Sequence, residues 1–224
     1  MNTYNNKVVL LADERHLVDA AFVQRMLDAG AKEVRILNGS ETAMQALREG
    51  MELETLKPET KSQLRFFVGD VSDYAYMEEA VTGADFVLYM PSIPLPFDCE
   101  VAPAETTITF LETVTNVLHT STDCGVQKTV VVSPVRQEPL VAMPDMLAAL
   151  LETVVIAEGR YLGKESNTAI ICASQDGDLS KLTDYAFANG TNADLLNKIK
   201  EAIELVMAAL TDKDHGVIAS TDEI

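Results

Sequence analysis

Short runs of uninterrupted apolar residues alternate along the chain with longer stretches in which apolar positions return every three or four residues. The first run, residues 7–12 (KVVLLA), has the pattern of a strand buried on both faces, and behind it Leu17, Ala20, Ala21, Val23 and Leu27 fall at helical spacing. Gly30 suits the left-handed residue that ends such a helix. The same alternation predicts strands over 33–37, 64–68, 85–90, 128–133 and 168–172, and helices over 41–49, 73–81, 104–119 and 144–161. A turn-rich stretch around Gly177 and Gly190, a helix over 193–210 and a short strand over 216–219 follow. Residues 50–63 are polar and broken by proline, which predicts an exposed excursion.

Buried strands that alternate strictly with helices call for a parallel sheet with right-handed crossovers and helices on both faces. The expected fold is a Rossmann-like, doubly wound α/β sheet in one domain over 1–224, with a core over 1–172 and a reduced C-terminal extension over 173–224. Ligands of such sheets sit at the carboxyl ends of the strands, at the switch point beside the first strand.

Composition narrows the class. Of the 224 residues 47% are apolar and 23% charged, enough apolar material for one core and unlike a disordered chain. The charge sum is 17 − 35 = −18, which repels phosphate backbones and anionic membrane surfaces, so no nucleic acid or membrane partner is expected. The three cysteines, Cys99, Cys124 and Cys172, form no close pair, so a reducing, cytoplasmic setting is expected. His16, His119 and His215 are dispersed at no metal-ligand spacing, and no metal is expected.

Residues 64–90 (LRFFVGDVSDYAYMEEAVTGADFVLYM) resemble the third-to-fourth-strand segment of the extended short-chain dehydrogenase/reductases, above all the nucleotide-sugar 4,6-dehydratases and epimerases of polysaccharide biosynthesis. Pro103-Ala104-Glu105, Asn116-Val117-Leu118, Gly125-Val126-Gln127-Lys128 and Val130-Val131-Val132-Ser133 are similar to the family's fourth crossover helix and fifth strand, and the likeness runs from about Lys7 to Cys172. The resemblance implies an NAD(P) cofactor, with Gly69-Asp70-Val71 under the adenine, Glu41 near the ribose and Ser133 beside the sugar.

Departures from the family pattern fall where its chemistry lies. The family turns from its first strand into its first helix on a run of glycines, which let the backbone approach a pyrophosphate. Here the stretch is Asp13-Glu14-Arg15-His16-Leu17-Val18-Asp19, without glycine and with three carboxylates. Two like charges about 4 Å apart repel by roughly 4 kcal/mol at an effective dielectric of about 20. A micromolar affinity is itself only about 8 kcal/mol. Asp13, Glu14 or Asp19 can instead cap the helix, satisfying its orphan N–H groups in place of a phosphate. The other readings of this stretch are an acidic site for a cation or basic partner, and a phosphate contact through Arg15 and His16.

The family's proton-transfer pair, Tyr-x-x-x-Lys at the start of the helix after the fifth strand, uses the ammonium to lower the tyrosine pKa. Counting forward from Ser133 puts Pro144 and Ala148 at those positions, and no tyrosine in the chain has Lys four residues later. Pro134-Val135 follows Ser133 where the dehydratases carry Thr-Asp, so Ser133 stands as a remnant or an ordinary turn residue. Tyr89-Met90-Pro91-Ser92 is bulkier than the family's small residues at the fourth strand's end, and the proline-rich stretch 91–98 is expected to cover the site's mouth.

Residues 144–161 are apolar nearly all round, so that helix must be covered on more than one side. In the resembled family this helix and the one before it pair with their copies, so a homodimer through 104–119 and 144–161 is expected; the alternative cover is the chain's own C-terminal helix. The expected function is a non-catalytic binding, regulatory or assembly component without cofactor, acting on a protein partner that the sequence does not identify. The alternatives are an active epimerase or dehydratase with altered NAD(P) binding, through Glu41, Asp70, Val71 and Ser133, and a nucleotide-sensing regulator.

Overall fold

The computed structural model describes residues 4–53, 56–134, 142–162 and 168–173, the last five of these by backbone alone. Six strands form one parallel sheet: β1 (Val8–Asp13), β2 (Glu33–Asn38), β3 (Leu64–Val68), β4 (Phe86–Met90), β5 (Lys128–Pro134) and β6 (Thr168–Ala173). They lie in the order β3-β2-β1-β4-β5-β6, with Leu10 of β1 opposite Arg35 of β2 and Val87 of β4. The chain therefore leaves β1 on one side and β4 on the other, and the switch point predicted from the alternation lies between them.

Side chains of β1 alternate between two cores. Val9 and Leu11 pack with Phe22, Val23 and Met26 of α1 (Ala20–Asp28) and Met44 of α2 (Glu41–Gly50). Val8, Leu10 and Ala12 pack with Met77 of α4 (Tyr74–Val81), Val114 and Val117 of α6 (Pro103–Asp123), and Leu147 and Leu151 of α7 (Met143–Tyr161). Every residue of β1 and β4 is buried, which is why both read as unbroken apolar runs. Each large apolar side chain so enclosed contributes roughly 1.5–3 kcal/mol.

Local chemistry sets the boundaries. Asp19, Ser40 and Asp73 cap α1, α2 and α4 by accepting from the N–H groups of Phe22, Ala43 and Tyr76 at 2.7, 3.2 and 3.1 Å. Gly30, with φ +89°, supplies the left-handed turn after α1. The first helix starts at Ala20, so Leu17, which fits its apolar period, belongs to the preceding turn. Two short helices lie in stretches predicted as loop: α3 (Pro58–Ser62) within 50–63, and α5 (Pro96–Val101), which begins within 91–98. α6 reaches four residues beyond its predicted end, because Thr120 and Ser121 are buried rather than solvated. The expectations for 174–224, among them the helix over 193–210 and the strand over 216–219, lie outside the described residues.

Candidate functional site

The carboxyl end of β1 closes on itself. Asp13, 2% exposed, accepts the N–H groups of Arg15 and Leu17 on Oδ1, each at 3.1 Å, and that of Val18 on Oδ2 at 2.8 Å. One side chain thus fills a nest of backbone donors at the entrance to α1, a position suited to an anion. His16 holds the left-handed conformation at φ 56° that the turn demands, without a glycine. Asn38, the last residue of β2, seals the turn from the side. Its Nδ2 donates to the Asp13 carbonyl and lies 2.9 Å from His16 Nδ1, while its Oδ1 accepts from Ser40 N–H at 2.7 Å.

The three carboxylates of the turn have three different fates. Asp13 caps the turn and Asp19 caps the helix; Glu14 reaches across to the end of β4. Its Oε2 accepts the Tyr89 hydroxyl at 2.9 Å and the Ser92 N–H at 3.3 Å. Burial pushes the Glu14 carboxyl above its ordinary range against the pull of those two bonds, and the charges of Asp70 and Asp13 push the same way. Tyr89 is fully buried, and burial followed by the Glu14 charge holds its hydroxyl well above the usual tyrosine value. Its phenol is a fixed donor here. Arg15 Nη1 is buried without a hydrogen-bond partner among the described residues, and burial lowers the guanidinium pKa while Asp13 supports its charge.

The stretch Gly69-Asp70-Val71 leaves β3 beneath an aromatic ring. A Cβ on Gly69 would lie 2.1 Å from Tyr76 Cε1, and the Tyr76 hydroxyl donates to the Val68 carbonyl at 3.1 Å. Asp70 is exposed and accepts from Ser72 N–H; Val71 is buried, and its carbonyl accepts from Asn116 Nδ2 at 2.7 Å. Glu41 is exposed in the first turn of α2. It is Asn38, twenty-five residues after Asp13, that closes on the β1 turn from β2.

At the end of β5, Ser133 is fully buried, with Oγ 3.3 Å from both the Pro134 carbonyl and Glu152 Oε1. Pro144 occupies the first turn of α7, and Ala148 is 1% exposed beneath it. Neither has an ionisable group, and the carboxylate that meets Ser133 stands one turn further on at Glu152. His119 pairs with Glu158 at 2.9 Å, joining α6 to α7. No group of three or more His, Cys, Asp or Glu stands ready to hold a metal among the described residues. None of the described helices is long and apolar enough to cross a membrane.

Sequence reasoning missed Asn38, Tyr76, Glu152 and the Tyr89–Glu14 bond. Only Asn38 carried a local signal, since a ribose-contacting residue falls about 20 residues beyond the first turn in dinucleotide folds.

The parallel order and the β1/β4 switch point define a Rossmann-like α/β protein. Residues 18–168, more than half of the chain, match the family model described as polysaccharide biosynthesis protein, and the chain belongs to that family of epimerases and dehydratases. It is 26% identical over 186 residues to a UDP-glucose 4-epimerase of Rickettsia canadensis (strain McKiel), an alignment that covers 83% of this chain and 50% of the relative. The chain spans about half the length of the curated relatives it matches. Among solved structures, Pen from Bacillus thuringiensis superposes with a TM-score of 0.63 at 20% identity, over 75% of this chain and 51% of that one. DesIV, a dTDP-glucose 4,6-dehydratase from Streptomyces venezuelae solved with NAD and TYD bound, gives 0.56 at 20% identity, over 74% and 55%.

Proposed function

We propose that this nucleotide-sugar epimerase/dehydratase homologue is a non-catalytic binding or assembly component that takes up no dinucleotide at its β1 turn. The observation that carries the reading is the Asp13 carboxylate, which holds the three backbone donors a pyrophosphate would otherwise take. A phosphate placed there would have to displace a buried carboxylate, and Glu14 and Asp70 add negative charge beside it. The Tyr76 ring rests on Gly69, in the triplet that in the resembled family lies under the adenine. These residues do not fit the dinucleotide, and Pro144 and Ala148 supply no proton at the family's catalytic positions.

Calorimetric titration with NAD and NADP, together with mass spectrometry of any nucleotide carried through purification, tests this. No heat of binding and no co-purifying nucleotide is the expected result. A dissociation constant of about 10 μM or tighter, near 7 kcal/mol of binding, would overturn it.

One observation favours a nucleotide-sensing reading: the buried, unpartnered Nη1 of Arg15 beside the same turn. A guanidinium left without an acceptor suits an incoming phosphate. Under that reading ADP binds without turnover and Arg15→Ala abolishes the binding; under ours neither protein binds.

A further inference from the structure

The segment that leaves β4 is tied to the sheet through one side chain. Glu14 donates its backbone N–H to the Met90 carbonyl at 3.1 Å, and its carboxylate accepts from Tyr89 and from the Ser92 N–H. Among the described residues, the Ser92–Glu14 bond is the one hydrogen bond that joins residues 91–95 to the sheet. Prolines at 91, 94 and 96 remove three backbone donors from this stretch. Ile93 packs partly against the core under α6 and α7, whereas Leu95 and Phe97 are 68% and 71% exposed. The next anchor is Asp98 of α5, whose carbonyl accepts from Thr106 Oγ1 at 3.1 Å. Residues 91–97 thus form a strap, fixed at both ends, over the carboxyl ends of β1 and β4; a segment with so little buried apolar surface opens at low cost.

We infer that Glu14 is a proton-operated latch on this strap, closed over the β1/β4 switch point when the carboxyl is protonated and released when it ionises. Closing the strap takes water from the carboxylate and returns a bond of 3.3 Å, longer than the usual range of about 2.7–3.2 Å. The charges around Glu14 act in the same direction. Asp13 of β1 and Asp70 beyond β3 both repel an ionised Glu14, and Tyr89 of β4 stays neutral. Arg15 leans on Asp13, His16 lies against Asn38, and residues 91–97 bring no titratable group. Burial accordingly pushes the Glu14 carboxyl above its ordinary range. The closed form therefore holds the proton more tightly than the open one, and rising pH favours opening. Opening bares the place where ligands of such sheets sit, so entry there follows pH. The latch goes beyond the proposed function and holds whether or not a nucleotide binds.

The test follows amide exchange with water by NMR in the full chain between pH 5 and pH 8. The Ser92 amide is read against the Leu95 amide of the same strap, which has no acceptor among the described residues, so that the intrinsic pH dependence of exchange cancels. The Ser92-to-Leu95 ratio is expected to rise at least about three-fold across that range, with the amides of β1 still protected. In Glu14→Gln the ratio stays flat. Tyr89→Phe, which removes a bond that favours the charged form, moves the rise to higher pH; circular dichroism verifies that both variants fold. A flat ratio in the parent would overturn the proposal. So would the same rise in Glu14→Gln, which would assign it to another group such as His16, or a loss of β1 protection at the same pH, which would make the event global unfolding. Calorimetry with NAD reads the proposed function separately: a nucleotide bound beside an intact pH response defeats that reading and leaves the latch standing.

Discussion

A single carboxylate decides the shape of the β1 turn. Asp13 accepts three backbone N–H groups while almost wholly out of water, so Asp13→Ala leaves them without their acceptor. A loss of about 2–3 kcal/mol is expected, read as a lower urea midpoint at unchanged slope. Glu14 behaves oppositely. Its folded pKa is raised, so the folded state holds the proton more tightly than the unfolded one, and stability falls as pH rises from the ordinary carboxylate range through the raised value. Glu14→Gln, which still accepts from Tyr89 and Ser92, is expected to remove that fall. Denaturation at pH 4 and pH 7 should show the variant gaining on the parent at the higher pH; an equal difference at both would refute the assignment. Gly69→Ala drives a Cβ into the Tyr76 ring and is expected to cost more alone than in a Tyr76→Ala background, a coupling that a double-mutant cycle measures directly. The Asp19 cap was legible in the sequence because an N-cap acts on a residue three positions away. The Glu14–Tyr89 bond was not, because its partners are seventy-five residues apart and meet only when β4 pairs with β1.

Elements were legible wherever burial imposed a period. β3 has the bounds its pattern predicts, and the other strands and long helices differ from theirs by a few residues, since continuous burial of β1 and β4 writes itself into the sequence as apolar runs. α3 and α5 were not legible: five and six residues long, they are too short to carry a helical period, and each starts on a proline that reads equally as a loop. The departure at α7 was legible as a substitution but not as packing. Ala148 is buried within α7, 1% exposed, so restoring the family's lysine there encloses an ammonium where an alanine methyl now sits. Pro144→Tyr with Ala148→Lys is therefore expected to cost several kcal/mol of stability, read as a markedly lower melting temperature, rather than to create activity. A variant that melts like the parent would mean that α7 can rotate or shift to expose the lysine.

At the scale of the whole molecule, a net charge of −18 on 224 residues makes the compact state work against its own repulsion. The repulsion is unevenly distributed, because the stretch between Arg65 and Lys128 has only carboxylates while the flanking segments mix both signs. The described ion pairs reach into it only at Asp85, met by Lys7 at the amino ends of the strands, and at His119, which meets Glu158 of α7; Arg35 and Arg65 pair with Glu33 on β2. Salt screens both kinds of interaction, but exposed pairs contribute only about 0–1 kcal/mol each, whereas the unbalanced charge acts over the whole surface. The melting temperature is therefore expected to rise with sodium chloride, most steeply below about 0.15 M, where the Debye length shortens from about 30 Å at 0.01 M to about 8 Å. Replacing Glu105 and Glu112 by Gln should flatten that rise by removing two of the uncompensated charges. A melting temperature that falls with salt would mean that attractive pairs outweigh the net charge.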